Sequence, residues 1–353
     1  MHVGQQTHHF RFGTAAPAQR FLDDNPDNLR FRETVKQLFN TVTFENDLKW
    51  AGEGESRLQM VERAIDWLHA NGIEVRGHCL VWGSYKHLPP RARELRGDAL
   101  REAIRAHVPE YVKRFDGKLY LWDVVNEAGS NTEVWDEVGW EQFADVFKLA
   151  RAADPDVKLC YNDYGILAQD NPYKEKVAPR IQYLLDHGAP VDYLGIQGHM
   201  GTPLTPMPEI WRNLERWAAF GPRLEITEFD LSVKDDTVHA AWSTDFLTQV
   251  FSHPKVDAFI MWGFWAGSHW KGNEGGAMIN RDWSWRPAAE QFKQKVYGEW
   301  WTQWDGQSDA AGKAKLRAFY GRQQVTVKAG GQQAEATIEL VPGAAGAVTV
   351  KLP

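Results

Sequence analysis

Cysteine is scarce, and so is any surplus of positive charge. The 353 residues hold only Cys79 and Cys160. In the strand reading below, Cys160 has the parity of the residues that face the site and Cys79 the opposite parity. No bridge is therefore expected, and both read as buried free thiols. Cys and His show no metal-type spacing. No apolar run reaches the roughly 18 residues that would suggest a membrane helix. The formal net charge is −7 and the pI about 6.0. An acidic balance argues against a nucleic-acid partner and gives no attraction to anionic membranes. The first six residues lack the charged-then-apolar order of an export signal, although that says little about secretion.

Tryptophan, by contrast, is plentiful, at 17 residues. Aromatic faces stack on the C–H faces of sugars, so the count leans toward a carbohydrate ligand, although many of these rings must be structural. At 43% hydrophobic and 25% charged, the chain suits one large domain of about 250–300 residues plus an appendage. Short apolar or β-branched runs occur at residues 10–14, 40–45, 73–82, 119–127, 158–163, 193–199, 223–230 and 258–264. They alternate with helical patterns at 57–70, 98–115 (with Asp98 as N-cap), 140–153, 172–185, 207–220 and 237–252, several of which end at Gly or Pro stops. Eight such βα units predict an α/β fold, a right-handed (β/α)8 TIM barrel. A doubly wound open sheet would need a reversal point and usually a Gly-rich phosphate loop, and neither is evident. After Trp301 the pattern changes to short strands at 316–319, 324–327, 336–341 and 347–352 with Gly-rich turns. The expected division is a barrel over 1–301 and a small β appendage over 302–353 that packs on it.

In such barrels the functional residues sit at the C-terminal ends of the strands. Those ends read Glu45-Asn46 with Lys49-Trp50 beyond, His78 with Trp82, Asn126-Glu127, Asn162-Asp163-Tyr164, Gln197-Gly198-His199, Glu228 with Asp230, and Trp262 with Trp270. One Glu at a strand end is more often a salt-bridged surface residue. Two of them, each within a run of site-type residues, fit a pair of carboxylates flanking one glycosidic bond. Glu127 would be the proton donor, its pKa raised by a negative neighbour. Glu228 would stay ionised with a hydrogen bond from His199, which Asp230 orients.

The same runs resemble glycoside hydrolase family 10, the endo-β-1,4-xylanases. The resemblance rests on Phe12-Gly13-Thr14-Ala15, Phe44-Glu45-Asn46-Asp47-Leu48-Lys49-Trp50, Arg76-Gly77-His78, Trp122-Asp123-Val124-Val125-Asn126-Glu127-Ala128, Tyr161-Asn162-Asp163-Tyr164, Gln197-Gly198-His199, Ile226-Thr227-Glu228-Phe229-Asp230 and Trp262-Gly263-Phe264-Trp265. These fall in order from about residue 10 to about residue 300. Cys79, the Trp-Gly-Phe-Trp run and residues 312–327 look most like the plant-type branch and its bacterial relatives. The resemblance implies a retaining endo-xylanase with Glu127 as acid/base, Glu228 as nucleophile, and His199 and Asp230 supporting it. It further implies sugar binding by Glu45, Asn46, Lys49, His78, Trp82, Asn126, Gln197, Trp262 and Trp270; Tyr164, from its place at a strand end, and Tyr85, just beyond Trp82, are further candidates of this chain's own. It implies a secreted-type enzyme with no metal or organic cofactor and with xylan and xylo-oligosaccharides as partners, and a monomer is the default expectation.

One segment departs from the family pattern. Where many members carry His-Ser-Gln after Trp82, this chain has Gly83-Ser84-Tyr85. The expectation is that Gly83 opens space and Tyr85 stacks or blocks. Two other readings stand beside the xylanase: another retaining barrel enzyme, acting on β-glucan or mannan, and a xylan-binding relative that has lost catalysis.

Overall fold

The computed structural model describes residues 1–343 and 346–353. The chain begins with a strand outside the barrel, β1 (His2–Gln5). Then follow β2 (Arg11–Ala16), β3 (Thr41–Phe44), β4 (Glu74–Trp82), β5 (Leu121–Asn126), β6 (Lys158–Asp163) and β7 (Tyr193–Ile196). The two-residue β8 (His199–Met200), β9 (Arg223–Leu231) and β10 (Val256–Met261) come next. Strands β2 to β7, β9 and β10 pair in parallel in that order, and β10 pairs with both β9 and β2, closing an eight-stranded barrel. The predicted strand 193–199 is split, because Gly198 takes φ 79° and lets the chain turn before β8 pairs with the top of β9.

Helices wrap the barrel and bury one face each. In Glu55–Ala70 the buried residues are Leu58, Val61, Ala64, Ile65 and Leu68, the periodicity visible in sequence. Gly72 at φ 71° follows as the stop. The predicted helix over 98–115 begins one residue early, at Gly97. Asp98 lies in its first turn rather than at the cap, and the Gly97 N–H donates to Glu137 (2.7 Å) instead. The predicted 140–153 helix is preceded by a separate one, Glu133–Val138. Two further helices, Pro26–Leu38 and Pro287–Gln294, were not anticipated, although Asn25 caps the first by accepting from Asn28 N and each carries Pro in its first turn.

The barrel interior carries a charged layer. Arg76, Asp123 and Glu225 are all fully buried there. Arg76 makes a two-pronged pair with Asp123 (2.5 and 2.5 Å) and a third contact with Glu225 (3.0 Å). Removing one member of such a network would strand a buried charge, at a cost of about 3–5 kcal/mol. The layer also orients a site residue, since Asp123 accepts or shares the proton at His78 Nδ1 (2.7 Å). Cys160 lies against Arg76 (3.5 Å), and both cysteines are buried and free, as the strand parity predicted.

A second sheet runs β11 (Gln303–Asp305), β1, β12 (Gly321–Ala329), β13 (Gln332–Leu340), all antiparallel. The hairpin turns at Gly330-Gly331, both with positive φ (57° and 82°), as a tight two-residue connection requires. The strands expected at 316–319 and 347–352 do not form. In their place the sheet takes β1 from the start of the chain. No helix among the described residues is long and apolar enough to cross a membrane.

Candidate active site

The C-terminal ends of β4 to β10 converge on two carboxyl groups. Glu127 follows the last residue of β5 and has φ 58°, left-handed backbone that is uncommon for a side chain with a Cβ. The turn is held by its own N–H to Asn162 O (2.8 Å) and by its carbonyl, which accepts from Ser130 N and Asn131 N. Its carboxylate accepts from Gln197 Nε2 at Oε1 (2.9 Å) and from Asn131 Nδ2 at Oε2 (3.1 Å). The indole N–H of Trp82 lies near this carboxylate without a formed hydrogen bond. Glu228 sits inside β9, 5% exposed. It accepts from Asn162 Nδ2 at Oε1 (2.8 Å) and meets His199 Nε2 at Oε2 (3.2 Å).

Amide side chains bridge the two acids. Asn162 Nδ2 donates to Glu228 and also to Asn126 Oδ1 (2.9 Å), while Gln197 Nε2 reaches both Glu127 and Asn126 Oδ1 (3.5 Å). Asn126 Oδ1 thus takes both donors, and its own Nδ2 has no partner among the described residues. Thr227 Oγ1 donates to Asn162 Oδ1 (2.6 Å), which fixes the orientation of that amide.

The environments of the two acids differ in sign. Burial pushes Glu127 above the usual carboxylate range, and the charge of Glu228 adds to this, outweighing the Gln197 hydrogen bond. Burial would raise Glu228 as well, but the His199 hydrogen bond and the charges of His78, His199 and Lys49 bring it below the usual range. Two carboxyl groups in one cleft are thereby shifted in opposite directions, the separation acid–base chemistry needs.

Behind Glu228 stands a relay. His199 Nδ1 meets Asp230 Oδ2 (2.8 Å), and Asp230 also accepts from Trp270 Nε1 (2.8 Å) and Lys271 Nζ (3.1 Å). Burial alone would lower the His199 pKa, but its hydrogen bonds to Asp230 and Glu228 raise it from 6.5 to about 9. A raised folded-state pKa contributes stability that is complete below about 6.5 and is lost as pH rises through about 9. The contribution is on the order of 3 kcal/mol. The thermal midpoint should therefore fall between pH 7 and pH 10, and His199→Asn should flatten that slope. Parallel pH–stability curves for the two proteins would contradict the relay.

The remaining expected residues line the same mouth. His78 stands edge-on to Trp262 (ring centroids 5.2 Å apart), with no partner for its Nε2 among the described residues. Lys49 Nζ donates to Asn46 Oδ1 (2.8 Å) and lies 5.0 Å from the Trp82 ring and 5.8 Å from the Trp262 ring. The Glu45 pKa is raised by burial against the opposing charge of Lys49. Trp270 is 57% exposed and stands edge-on to His199 (5.0 Å), an open aromatic face beside the relay. Two candidates turn elsewhere: Tyr164 stacks on Tyr173 (4.5 Å), and Tyr85 lies beneath Arg96 (4.1 Å). No group of three or more His, Cys, Asp or Glu among the described residues is arranged to hold a metal ion.

Residues 4–295 match glycosyl hydrolase family 10. The chain belongs to this family. Among its relatives, anti-sigma-I factor RsgI6 of Acetivibrio thermocellus is 29% identical over 334 residues, 92% of this chain and 42% of that protein. Endo-1,4-beta-xylanase 1 of Arabidopsis thaliana is 28% identical over 309 residues, 86% of this chain and 32% of that one. The chain thus spans less than half the length of these two curated relatives. Among solved structures, xylanase 10B from Thermotoga petrophila RKU-1 in complex with xylobiose superposes with a TM-score of 0.74 at 28% identity. That match covers 82% of this chain and 95% of the other.

Within this family 10 barrel, the segment after Trp82 differs from expectation. Gly83 does not open space. A Cβ there would lie 2.4 Å from Trp135 Nε1 and 2.5 Å from Asn131 O, so the room is already filled. Trp82 itself is stacked on His87 (3.4 Å, 7°), and Glu133 anchors the loop by accepting from Ser84 Oγ and Tyr85 N. Gly83→Ala should cost about 1–3 kcal/mol by overpacking and lower the melting temperature by several degrees. It should also weaken activity, because Asn131 is a donor to Glu127. An unchanged melting curve would show that Trp135 yields easily. Sequence reasoning also missed Asn162 and Lys271. Asn162 was visible as a polar strand end, but nothing in the sequence singled out Lys271.

Proposed function

We propose that the chain is a retaining endo-β-1,4-xylanase that cleaves internal bonds of xylan by double displacement. The observation that carries this reading is the pair Glu127 and Glu228, bridged by Asn126, Asn162 and Gln197 and shifted in opposite directions by their surroundings. Glu228, ionised, attacks the anomeric carbon and forms a glycosyl ester, while Glu127 passes its proton to the departing sugar oxygen. Esterification removes the charge of Glu228, so the pKa of Glu127 falls. Glu127 then takes a proton from the water that hydrolyses the ester.

The free Nδ2 of Asn126 is available to the 2-hydroxyl of the sugar being cleaved. His78 Nε2 and Lys49 face the same sugar, with Glu45 and Asn46 on its neighbour toward the non-reducing end. Trp82, Trp262 and Trp270 offer aromatic surface and Gln197 steadies Glu127, whereas Tyr164 and Tyr85 are engaged by Tyr173 and Arg96. The relatives named endo-xylanases, and the Thermotoga enzyme described with xylobiose, support xylan as the polymer. A polymer of this size is met outside the cell, so we place the enzyme there, acting as a monomer without a cofactor. The strands β11, β12 and β13, together with β1, would form an appendage that braces the barrel.

The test is release of reducing sugar from xylan compared with barley β-glucan and mannan. Preference for xylan supports the reading. Preference for either other polymer replaces it with a different retaining glycanase. Binding of xylan without release at any pH leaves a non-catalytic binder.

A further inference from the structure

We infer that Asp163 is a positioning residue for the proton donor: it anchors the turn that carries Glu127. The inference rests on the reading of Glu127 as acid/base. Asp163 ends β6 and is fully buried. Its Oδ2 accepts from Gly129 N (3.2 Å) and Tyr161 OH (2.5 Å), and its Oδ1 from Tyr164 N (2.9 Å) and Tyr173 OH (2.9 Å). Gly129 is two residues past Glu127, so the carboxylate holds the far side of the left-handed turn. A Cβ on Gly129 would lie 2.5 Å from Tyr173 Oη, so the turn and Tyr173 are in direct contact. The main chain of Asp163 holds the near side, because its carbonyl accepts from Gln197 N (2.9 Å), and Gln197 Nε2 donates to Glu127.

Four donors serve this carboxyl, yet among the described residues no cation pairs with it. The groups facing it are the hydroxyls of Tyr161 on its own strand and of Tyr173 ahead of the helix Lys174–Asp186, the backbone of Tyr164, and Glu127 across the turn. Arg180 on that helix acts on Tyr161 instead. Burial pushes the Asp163 carboxyl up to about 7 against the hydrogen bonds that oppose it. It is therefore neutral in acid and gains its charge as pH rises through about 7. The charge of Glu127 across the turn adds to that upward shift.

The experiment is kcat and KM, measured separately, for wild type and Asp163→Asn on two substrates. One is xylotetraose, whose leaving group needs a proton. The other is 2,4-dinitrophenyl β-xylobioside, whose leaving group does not. The Asn variant should lose about tenfold or more on xylotetraose and stay within about threefold on the aryl substrate. The loss on xylotetraose should fall on kcat, with KM staying within about threefold of wild type. Tyr173→Phe, which keeps the carboxyl and removes one donor, should show the same split at smaller size, and it decides the matter if Asp163→Asn does not fold. Equal losses on both substrates, or a loss on xylotetraose carried by KM rather than kcat, would overturn the inference while leaving an active wild-type enzyme. A wild type inert toward both substrates would overturn the proposed function itself.

Discussion

Glu228→Ala should lose about 10⁴-fold or more in kcat/KM on xylan and on aryl xylobiosides alike. Both substrates require attack at the anomeric carbon, whatever the leaving group. The geometry gives no substitute. Asn162 and His199 are donors arranged around the carboxylate, and an Ala leaves them facing an empty site. The loss should also reach the relay. Without the charge of Glu228, His199 keeps only Asp230 as a partner, so its pKa should fall from about 9. Titration of His199 by NMR in the variant reads this directly. A variant that still turns over dinitrophenyl xylobioside at a tenth of the wild-type rate would remove Glu228 from the nucleophile's role.

The barrel was legible because each parallel strand, buried on both faces, reads as a short apolar run, and because helix stops at Gly and Pro punctuate the chain. The strand at Lys158–Asp163 was located to the residue. The second sheet was less legible. Pairing of β1 with β11 and β12 joins residues some 300 apart, and a four-residue strand carries no mark of a partner so distant. The site divides in the same way. Glu127, Glu228, His199 and Asp230 announce themselves as polar residues at the ends of apolar strands. Asn162 lay in such a run, yet its donation to Glu228 and Asn126 together depends on side-chain rotamers that no spacing encodes. Gly83 was misread because the absence of a side chain suggests room, whereas Trp135 and the Asn131 carbonyl had already taken it.

Glu127→Ala should separate the two chemical steps. On xylan the departing oxygen belongs to a sugar hydroxyl and leaves badly unless protonated, so kcat/KM should fall by about 10²–10⁴-fold. On dinitrophenyl xylobioside the leaving group departs as a stable anion, and kcat/KM, which reports the first step alone, should stay near wild type. The second step still needs a base, so kcat on the aryl substrate should drop, with an initial burst of dinitrophenol as the glycosyl ester accumulates. A small anion such as azide needs no base and fits the space the carboxylate leaves. It should restore kcat and yield the β-glycosyl azide, which also reports retention of configuration. The alkaline limb of the pH profile, assigned here to ionisation of a carboxyl raised by burial and by Glu228, should vanish in the variant. Equal losses of kcat/KM on both substrates would instead mean that Glu127 acts by holding Gln197 and Asn131 in place rather than by moving a proton.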